Sequence, residues 1–301
     1  MDISIFYEHF DSDKLLVNIS MSEYTSFKVG GPVDLMVTPS NTEEIRSAIN
    51  LCKSNGLPYF VMGKGSNLLV RDLGFRGVII SLSKKLEKIE RLEDCTIKAE
   101  AGVSLAKLAA YAADVGLAGL EFASGIPGSL GGALYMNAGA YDYDMSGVVS
   151  CAGLIDENGD EQDMQVNEMS LGYRTSIFQS KGYIIKDVTL KLHAGDRELI
   201  KAKMMELNNR RKVSQPLEMP SAGSTFKRPE GYYAAKLIDD CGLKGYSIGG
   251  AKVSEKHAGF IVNYDNATAS DILSLMEYVK DRVYEKFGVM LVPEVEVLGS
   301  V

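Results

Sequence analysis

Residues 124–140 read SGIPGSLGGALYMNAGA, and five of these seventeen positions are glycine. Because glycine has no Cβ atom and tolerates positive φ angles, such a backbone can approach a large, flat, anionic ligand closely. Pro127 suits the first turn of a helix, where free N–H groups favour phosphate. Glycines also occur where a helix packs tightly against its neighbours. The stretch alone therefore leaves two interpretations open, a cofactor cradle and a tight packing turn.

The length and charge of the chain limit the classes of function. With 301 residues, the chain is long enough for about two or three domains of the usual size. A hydrophobic fraction of 46% predicts a soluble globular protein. The net charge is −8, and no basic block is present. The charge pattern therefore excludes an extended nucleic-acid footprint, and any anionic ligand must be held locally.

The hydropathy pattern and the first residues predict a cytoplasmic protein. Residues 1–8 contain neither a basic leader nor an apolar core of signal-peptide length. No uncharged apolar run approaches the length of about 18 residues that a membrane span needs. We therefore expect no contact with a membrane.

Cysteine and histidine spacing argues against disulfides and metal sites. Four cysteines, Cys52, Cys95, Cys151 and Cys241, are widely spread and form no Cys-x-x-Cys pair. We expect them to be buried free thiols. The three histidines show no helical i,i+4 pairing, so no protein metal site is expected.

The first hundred residues alternate between strands and helices. Residues 34–37 predict a strand, and the helix after it carries Ile45, Ile49 and Cys52 on one face. Asn41 with Glu44 resembles a capping box, and Gly56 predicts the end of the helix. Further strands are predicted at residues 59–62 and 68–70, and a glycine turn joins them at residues 63–67.

The middle of the chain predicts a strand at residues 96–101, a helix at 104–115 and the glycine-rich helix. Asn158-Gly159 is a strong signal for a hairpin turn. Strand-like runs follow near residues 177–178 and 183–192.

A charged helix at about residues 196–212 is predicted to connect two domains. The last hundred residues predict helices near 233–241 and 270–287 and strands near 259–263 and 289–298. Because no regular βαβ rhythm is present, the chain is predicted to be α+β. Neither a P-loop nor a Gly-x-Gly-x-x-Gly dinucleotide turn occurs, so a different fold must hold the ligand.

Six segments together resemble one enzyme family. TSFKVGGP (25–32), GKGSNLL (63–69) and the stretch at 125–140 resemble the FAD-binding half of the UDP-N-acetylenolpyruvoylglucosamine reductase (UDP-N-acetylmuramate dehydrogenase) family. YRTSIF (173–178), SAGSTFK (221–227) and PEV (293–295) resemble its three catalytic segments, in the same order. The resemblance covers nearly the whole chain.

The resemblance implies an α+β fold of the vanillyl-alcohol-oxidase, or p-cresol methylhydroxylase, type. Two α+β subdomains, residues 1–82 and 83–200, would bind FAD, and a C-terminal α+β domain, residues 201–301, would bind substrate. In an alternative arrangement, the last strand returns to the first subdomain. Ser224 and Glu294 are 70 residues apart, which resembles the family's shorter type without an extra substrate-closing loop.

The implied activity is reduction of UDP-N-acetyl-3-O-(1-carboxyvinyl)-glucosamine to UDP-N-acetylmuramate in peptidoglycan precursor synthesis, hence in cell-wall biogenesis, cell shape and cell division. NADPH would be the electron donor, and FAD would deliver a hydride from N5. No histidine precedes the glycine loops as covalently flavinylated relatives require, so FAD is expected to be non-covalently bound. The expected partners are the sugar nucleotide and NADPH. We expect a monomer, with a weak dimer as the alternative.

Three residues are implied to act in catalysis. Ser224 would donate the proton to C2, Arg174 would stabilise the substrate carboxylate or enolate with its planar fork, and Glu294 would assist the enolate. Taken without the motifs, the same residues fit a turn serine, a surface arginine and an acidic strand face shared with Glu296. If Glu294 is buried, its pKa should rise.

The resemblance also implies binding residues. Lys212 would lie near the substrate diphosphate, although a basic cluster at a helix C-terminus explains it equally well, and Tyr173 would contact substrate. The predicted cofactor-binding residues are Val29, Gly30, Gly63, Lys64, Gly65, Ser66, Asn67, Leu68, Gly125, Ile126, Pro127, Gly128, Ser129, Gly132, Ala133, Asn137 and Gly139.

Two other functions remain open at this level. A flavin oxidoreductase of the same fold that oxidises a hydroxy acid or alcohol would keep the glycine loops without needing the three late segments. A non-catalytic UDP-sugar or flavin-binding protein would need no proton donor, so Ser224→Ala would leave its function intact.

Overall fold

The computed structural model describes residues 3–157 and 159–299. The described helices are α1 (Ser4–Tyr7), α2 (Thr42–Ser54), α3 (Leu105–Asp114), α4 (Leu130–Tyr135), α5 (Arg197–Ser214), α6 (Ala234–Asp240) and α7 (Ala269–Phe287). Each of these is too short or too polar to cross a lipid bilayer.

The strands are β1 (Leu15–Ser20), β2 (Pro32–Val37), β3 (Tyr59–Met62), β4 (Leu68–Val70), β5 (Phe75–Ser81), β6 (Ile89–Arg91), β7 (Thr96–Glu100), β8 (Leu117–Ala118), β9 (Gly139–Ala140), β10 (Tyr143–Asp144), β11 (Val149–Ile155), β12 (Glu161–Gln165), β13 (Ile184–Lys191), β14 (His193–Ala194), β15 (Ser247–Ile248), β16 (Ala251–Val253), β17 (Ile261–Asn263) and β18 (Glu296–Leu298). One four-stranded sheet has the order β1-β2-β5-β3, and β3 runs parallel to β5.

The chain divides into two compact units. The first consists of residues 1–16, 35–64 and 77–211, and the second of residues 17–34, 65–76 and 212–301. The division falls inside α5, the charged helix, between Arg211 and Lys212. The three-domain scheme 1–82, 83–200 and 201–301 stays a prediction.

The first unit is built on a five-stranded antiparallel sheet of order β12-β11-β13-β7-β6. Leu130 and Leu134 of α4 are fully buried in the same apolar cluster as Ile97 and Val188 of the sheet. β11 and β12 form the predicted hairpin, with Ile155 opposite Glu161. Asn158, half of the turn signal, lies outside the described residues. The sheet therefore supports α4, which belongs to the glycine-rich stretch.

Both predicted ends of α2 are confirmed. The Asn41 side chain caps the helix by accepting a hydrogen bond from the Glu44 N–H at 2.8 Å. The Glu44 carboxylate accepts from the Ser40 N–H instead of completing a capping box. After the helix, Gly56 takes φ +61°, and the Leu57 N–H reaches back to the Cys52 carbonyl at 2.8 Å, a glycine-terminated helix end.

The second unit is organised around α7. This helix packs against α6 and against the antiparallel sheet β15-β16-β17. Buried Leu275, Val279 and Val283 lie on the face that enters the core. In the same unit, β18 pairs in parallel with β4, so Glu296 lies opposite Leu68.

Three local predictions are wrong. Ile177–Gln179 is a single 3₁₀ turn instead of a strand, because the Ser176 and Gln179 side chains both donate to the Tyr135 carbonyl and draw the chain into a turn. The terminal strand is confined to Glu296–Leu298, because residues 292–294 pair with residues 225–227 in a separate antiparallel bridge. The four cysteines are free, but only Cys52 is buried, whereas the others are half-buried.

Candidate active site

The start of the glycine-rich stretch packs against α5 in the first unit. A Cβ atom on Gly125 would lie 2.3 Å from Oδ1 of Asn208. The Ser124 hydroxyl donates to the same oxygen at 3.4 Å, and the Tyr141 hydroxyl donates to the Leu207 carbonyl at 2.8 Å. The lack of a side chain at position 125 therefore lets α5 come close to the loop.

The helix in this stretch begins later than predicted. α4 starts at Leu130, with Ser129 as the residue before its first turn, so Pro127 lies outside the helix. The N–H groups of Leu130 and Gly131 donate to the carbonyls of Val103 at 2.8 Å and of Ala101 at 2.9 Å. These two N–H groups are already occupied by protein and are not available to phosphate. The prediction that Pro127 lies in the first turn of the helix is wrong, whereas its contact with the cofactor stays a prediction.

The two interpretations of the glycines can be compared at Gly131 and Gly132. A Cβ atom on Gly131 would meet the Ala101 Cβ at 2.8 Å, so this glycine allows close packing. Gly132 is exposed, and apart from its own helix backbone and chain neighbours, Ser129 Oγ at 3.4 Å is the atom of the described residues that a Cβ built there would meet. Gly63 of the other loop lies against the same hydroxyl, 2.2 Å from a Cβ built there. The two predicted glycine segments therefore meet at Ser129, and the open backbone around Gly132 fits a flat cofactor.

The loop continues into the second unit after Lys64. There Gly65 has φ +63°, and a Cβ atom on it would lie 2.3 Å from the Tyr24 carbonyl oxygen. The Gly65 carbonyl accepts a hydrogen bond from the Ser26 N–H at 3.1 Å, which links it to the TSFKVGGP segment. Val29 in that segment is buried. Glycine at position 65 thus allows the backbone of the 63–69 segment to lie directly against the 25–32 segment.

Arg174 is anchored to the glycine-rich stretch of the first unit. Its Nη2 donates to the Gly139 carbonyl at 3.1 Å, and its Nη1 lies 3.5 Å from the Asn137 carbonyl. The guanidinium also lies over the Tyr173 ring, 5.2 Å from its centre. Asn137 is 1% exposed and donates to the Gly172 carbonyl at 2.9 Å. Predicted residues from two motifs therefore form one cluster.

The backbone of Arg174 is strained. Its φ angle is +53°, in the left-handed region that residues with a side chain rarely adopt. Such strain costs of order 1–3 kcal/mol and persists where surrounding contacts hold it, most often at functional sites. Gln179 supplies one such contact by donating to the Arg174 carbonyl at 3.2 Å.

Ser224 and Glu294 belong to adjacent segments in the second unit. Phe226 and Pro293 form an antiparallel bridge. The Glu294 N–H donates to the Thr225 carbonyl at 2.9 Å, and the Lys227 N–H donates to the Val292 carbonyl at 2.8 Å. These backbone bonds place two predicted catalytic segments side by side.

The surroundings of the two side chains differ. Ser224 is exposed, whereas its neighbour Thr225 is fully buried and accepts a hydrogen bond from the Ile261 N–H at 3.0 Å. Glu294 is half-buried, and its carbonyl accepts from Nδ2 of Asn67, a predicted cofactor-binding residue, at 2.9 Å. Glu296 is exposed within β18. Ser224 is therefore exposed beside a buried, hydrogen-bonded neighbour.

The two predicted substrate-binding residues are both exposed. Lys212 lies in α5, which runs two residues further, to Ser214, and its carbonyl accepts a hydrogen bond from Lys256 Nζ at 2.7 Å. Tyr173 is 52% exposed. Within residues 3–157 and 159–299, no group of three or more His, Cys, Asp or Glu side chains is placed to hold a metal ion.

Arg211 lies beside the glycine-rich stretch, which the sequence did not reveal. It follows Arg210 in a basic run, and both resemble ordinary surface charges of a helix end. In the structure its Nε is shielded from solvent, and its Cδ lies 3.3 Å from a Cβ atom built on Gly125. Burial lowers the pKa of Arg211, and the nearby Arg174 charge lowers it further, whereas Tyr141 raises it.

Comparisons with known proteins identify the family of the chain. Residues 33–164 match the model of an FAD binding domain, and residues 215–298 match the C-terminal domain of UDP-N-acetylenolpyruvoylglucosamine reductase. The reductase of Clostridium beijerinckii is 49% identical over 297 residues, 99% of this chain and 97% of its own. That of Alkaliphilus oremlandii is 51% identical over 96% of this chain and 94% of its own. The chain belongs to the UDP-N-acetylenolpyruvoylglucosamine reductase family.

A crystal structure from this reductase family supports the fold. The reductase of Thermus caldophilus is 36% identical, covers 93% of this chain and 97% of its own, and superposes with a TM-score of 0.80. The predicted α+β class, with an FAD-binding fold and a separate C-terminal domain, is confirmed. The chain is an FAD-dependent oxidoreductase of peptidoglycan synthesis, so the non-catalytic alternative is excluded.

Proposed function

We propose that the protein uses NADPH to reduce the enolpyruvyl group of UDP-N-acetyl-3-O-(1-carboxyvinyl)-glucosamine, giving UDP-N-acetylmuramate. The observation that carries the proposal is the backbone pairing of the Ser224 segment with the Glu294 segment. A proton donor and a carboxyl group on one rigid ladder fit a reaction that must place a proton on carbon next to a carboxylate. Bound FAD supplies the hydride transfer, which no side chain can perform.

Arg174 is proposed to stabilise the negative charge of the reacting group. Its guanidinium is always protonated, and the Gly139 and Asn137 carbonyls hold it in place before substrate binds. Because a fixed charge needs no reorganisation as the enolate forms, its stabilisation is larger in the transition state than a mobile lysine would give. Tyr173, whose ring lies beside the guanidinium, is proposed to contact the substrate.

Ser224 is proposed to donate the proton to C2. Its hydroxyl is exposed, while the backbone on both sides is fixed by the bonds of Thr225 and Lys227. Glu294 is proposed to assist the enolate. Both proposals are supported by the order of the motifs and by the ladder that joins them.

The cofactor and the diphosphate have proposed sites of their own. The open backbone at Gly132, together with Gly63 and Ser129, is proposed to hold FAD, with the remaining predicted cofactor residues completing the site. Lys212 is proposed to bind the substrate diphosphate, because it is exposed and cationic. The cytoplasmic location and the monomeric state stay predictions.

The test is an anaerobic two-step reaction. NADPH is added to the FAD-loaded protein until the flavin is reduced, the sugar nucleotide is then added, and flavin absorbance is followed. We expect rapid reoxidation by the parent protein, and reoxidation slowed by about 10²–10⁴-fold in Ser224→Ala, the usual contribution of a general acid. The flavin spectrum of the variant should be unchanged.

Ser221→Ala is the matched control, because Ser221 lies three residues earlier in the same segment and is half-buried. It should reoxidise at the parent rate. A Ser224→Ala protein that reoxidises at the parent rate would remove Ser224 from the mechanism. If the flavin of the parent protein stays reduced after addition of the sugar nucleotide, the proposed substrate is wrong.

A further inference from the structure

The inner face of α5 carries a charge next to the FAD-binding domain. Ile200 and Leu207 are buried, and Arg211 continues the same stripe one turn later. Other residues of this turn, such as Asn208 and Arg210, are exposed. The arginine is therefore presented to the interior of the first unit by the same packing that buries the two aliphatic side chains.

The last turns of α5 contact the glycine-rich loop at Gly125. Arg211 Cδ and Asn208 Oδ1 lie 3.3 Å and 2.3 Å from the position of a Cβ atom on Gly125. Gly125 lies within residues 33–164, which match an FAD binding domain. Tyr141 donates to the carbonyl of Leu207 in the preceding turn of the same helix. The side chain of Arg211 thus runs along the loop at Gly125, with its Cδ in contact distance of that position.

Arg211 brings a positive charge to this position. Burial disfavours the charged form of Arg211, yet an arginine stays protonated at neutral pH. Its charge is felt by Arg174, another guanidinium of the same unit, since each lies within electrostatic range of the other. Arg211 is half-buried, and a partly buried charge is screened less by water and salt than an exposed one.

We propose that Arg211 sets the reduction potential of the bound flavin by stabilising its reduced, anionic form. Reduction adds two electrons and one proton to a neutral ring system and leaves one negative charge on it. A fixed positive charge beside the cradle favours that product over the neutral reactant and raises the potential. The proposal depends on FAD binding, and it is independent of the sugar nucleotide and of NADPH.

The size of the effect follows from Coulomb's law. Two unit charges about 10 Å apart, at an effective dielectric constant of about 20, interact strongly enough to change an equilibrium constant by about tenfold. For a two-electron couple, tenfold is about 30 mV. Arg211→Gln should therefore lower the midpoint potential by about this amount.

The experiment is a potential titration of FAD-loaded protein without substrate, using dithionite as the reductant and a reference dye. Arg211→Lys should stay near the parent potential, because it keeps the charge while losing the planar fork. Arg210→Gln is the matched control, because it removes a charge from the same helical turn. The Arg210 side chain is 60% exposed, so its loss should change the equilibrium constant less than about twofold.

A further variant covers the case in which Arg211→Gln fails to fold or to retain FAD. Asn208→Asp adds a negative charge at the same loop and keeps an oxygen that accepts from Ser124. It should lower the potential in the same direction. Unchanged potentials in Arg211→Gln or, failing that, in Asn208→Asp would overturn the proposal, as would an Arg211→Lys shift as large as that of Arg211→Gln. Because no sugar nucleotide is present, these outcomes are separate from failure of the proposed reaction.

Discussion

Asp72 should contribute measurably to stability because it binds the N-terminus of the longest helix. Its carboxylate accepts hydrogen bonds from the N–H groups of Ala269 and Ser270 at 2.7 and 2.9 Å, and from the Ser270 hydroxyl at 2.5 Å. These are the first residues of α7, whose N-terminus carries partial positive charge. Asp72 therefore joins the segment after β4 to the helix on which the second unit is built.

The expected effect of Asp72→Asn can be worked out from these three bonds. Hydrogen bonds to a charged group contribute about 1.5–3 kcal/mol, and helix-capping side chains about 0.5–2 kcal/mol. Asp72 is exposed, and the oxygen of an asparagine side chain can still accept one hydrogen bond. The effect should therefore lie in the lower half of these two energy ranges. We expect a loss of about 1–2 kcal/mol in the free energy of unfolding at about pH 7.

The loss should depend on pH in one direction. Burial raises the pKa of Asp72, but the bonds from the Ser270 hydroxyl and the Ala269 and Ser270 N–H groups outweigh it, so the pKa lies below its usual 3.8. The stabilisation is thus fully present above the unfolded pKa and is lost as the pH falls through the folded pKa. The difference between parent and variant should shrink below about pH 4.

Urea unfolding of the FAD-loaded protein, at equal FAD concentrations, measures this difference. With an m-value of about 3 kcal/mol/M, the midpoint should fall by about 0.5 M. Asp281→Asn, on an exposed position of the same helix, is the control and should shift the midpoint by less than half as much. A midpoint unchanged by Asp72→Asn at about pH 7, or a difference that persists undiminished at about pH 3, would refute the reasoning.

Two further predictions concern the cofactor loop and the thiols. Gly65→Ala should weaken FAD binding at least about tenfold, measured by flavin fluorescence, because the added methyl group would meet the Tyr24 carbonyl oxygen. Gly56→Ala, with a similar φ of +61° but open space around it, should cost about 1 kcal/mol of stability and leave FAD affinity unchanged; equal FAD affinity in the two variants would contradict the prediction. Burial raises the pKa of the Cys52 thiol to about 12, so at about pH 8 it should react with a thiol reagent only on unfolding, whereas fast modification of all four cysteines in the folded protein would contradict its burial.

The regular elements were largely predictable from the sequence because their signals are local. The Asn41 cap, the apolar positions Ile45 and Ile49, and Gly56 define α2 without help from the rest of the chain. The same holds for α7, whose apolar face repeats at helical spacing up to Gly288. The catalytic motifs were also local in sequence.

The errors arose where distant residues determine the local structure. α4 begins at Leu130 because the N–H groups of its first turn bond to Val103 and Ala101, which no reading of residues 124–140 reveals. The turn at Ile177–Gln179 depends on Tyr135. Arg211 was overlooked because its sequence neighbours are charged and its burial depends on Gly125. The local structure at these positions is therefore determined by contacts with residues far away in the sequence.

The ladder that joins the Ser224 and Glu294 segments consists of main-chain groups. Exchange of a side chain leaves such bonds intact unless the new residue is proline, which lacks the N–H. Evolution can therefore vary the chemistry of these two positions without rebuilding their support. A gene that has lost the activity by a single change there would still encode a folded protein, which competes with an intact copy for the same ligands.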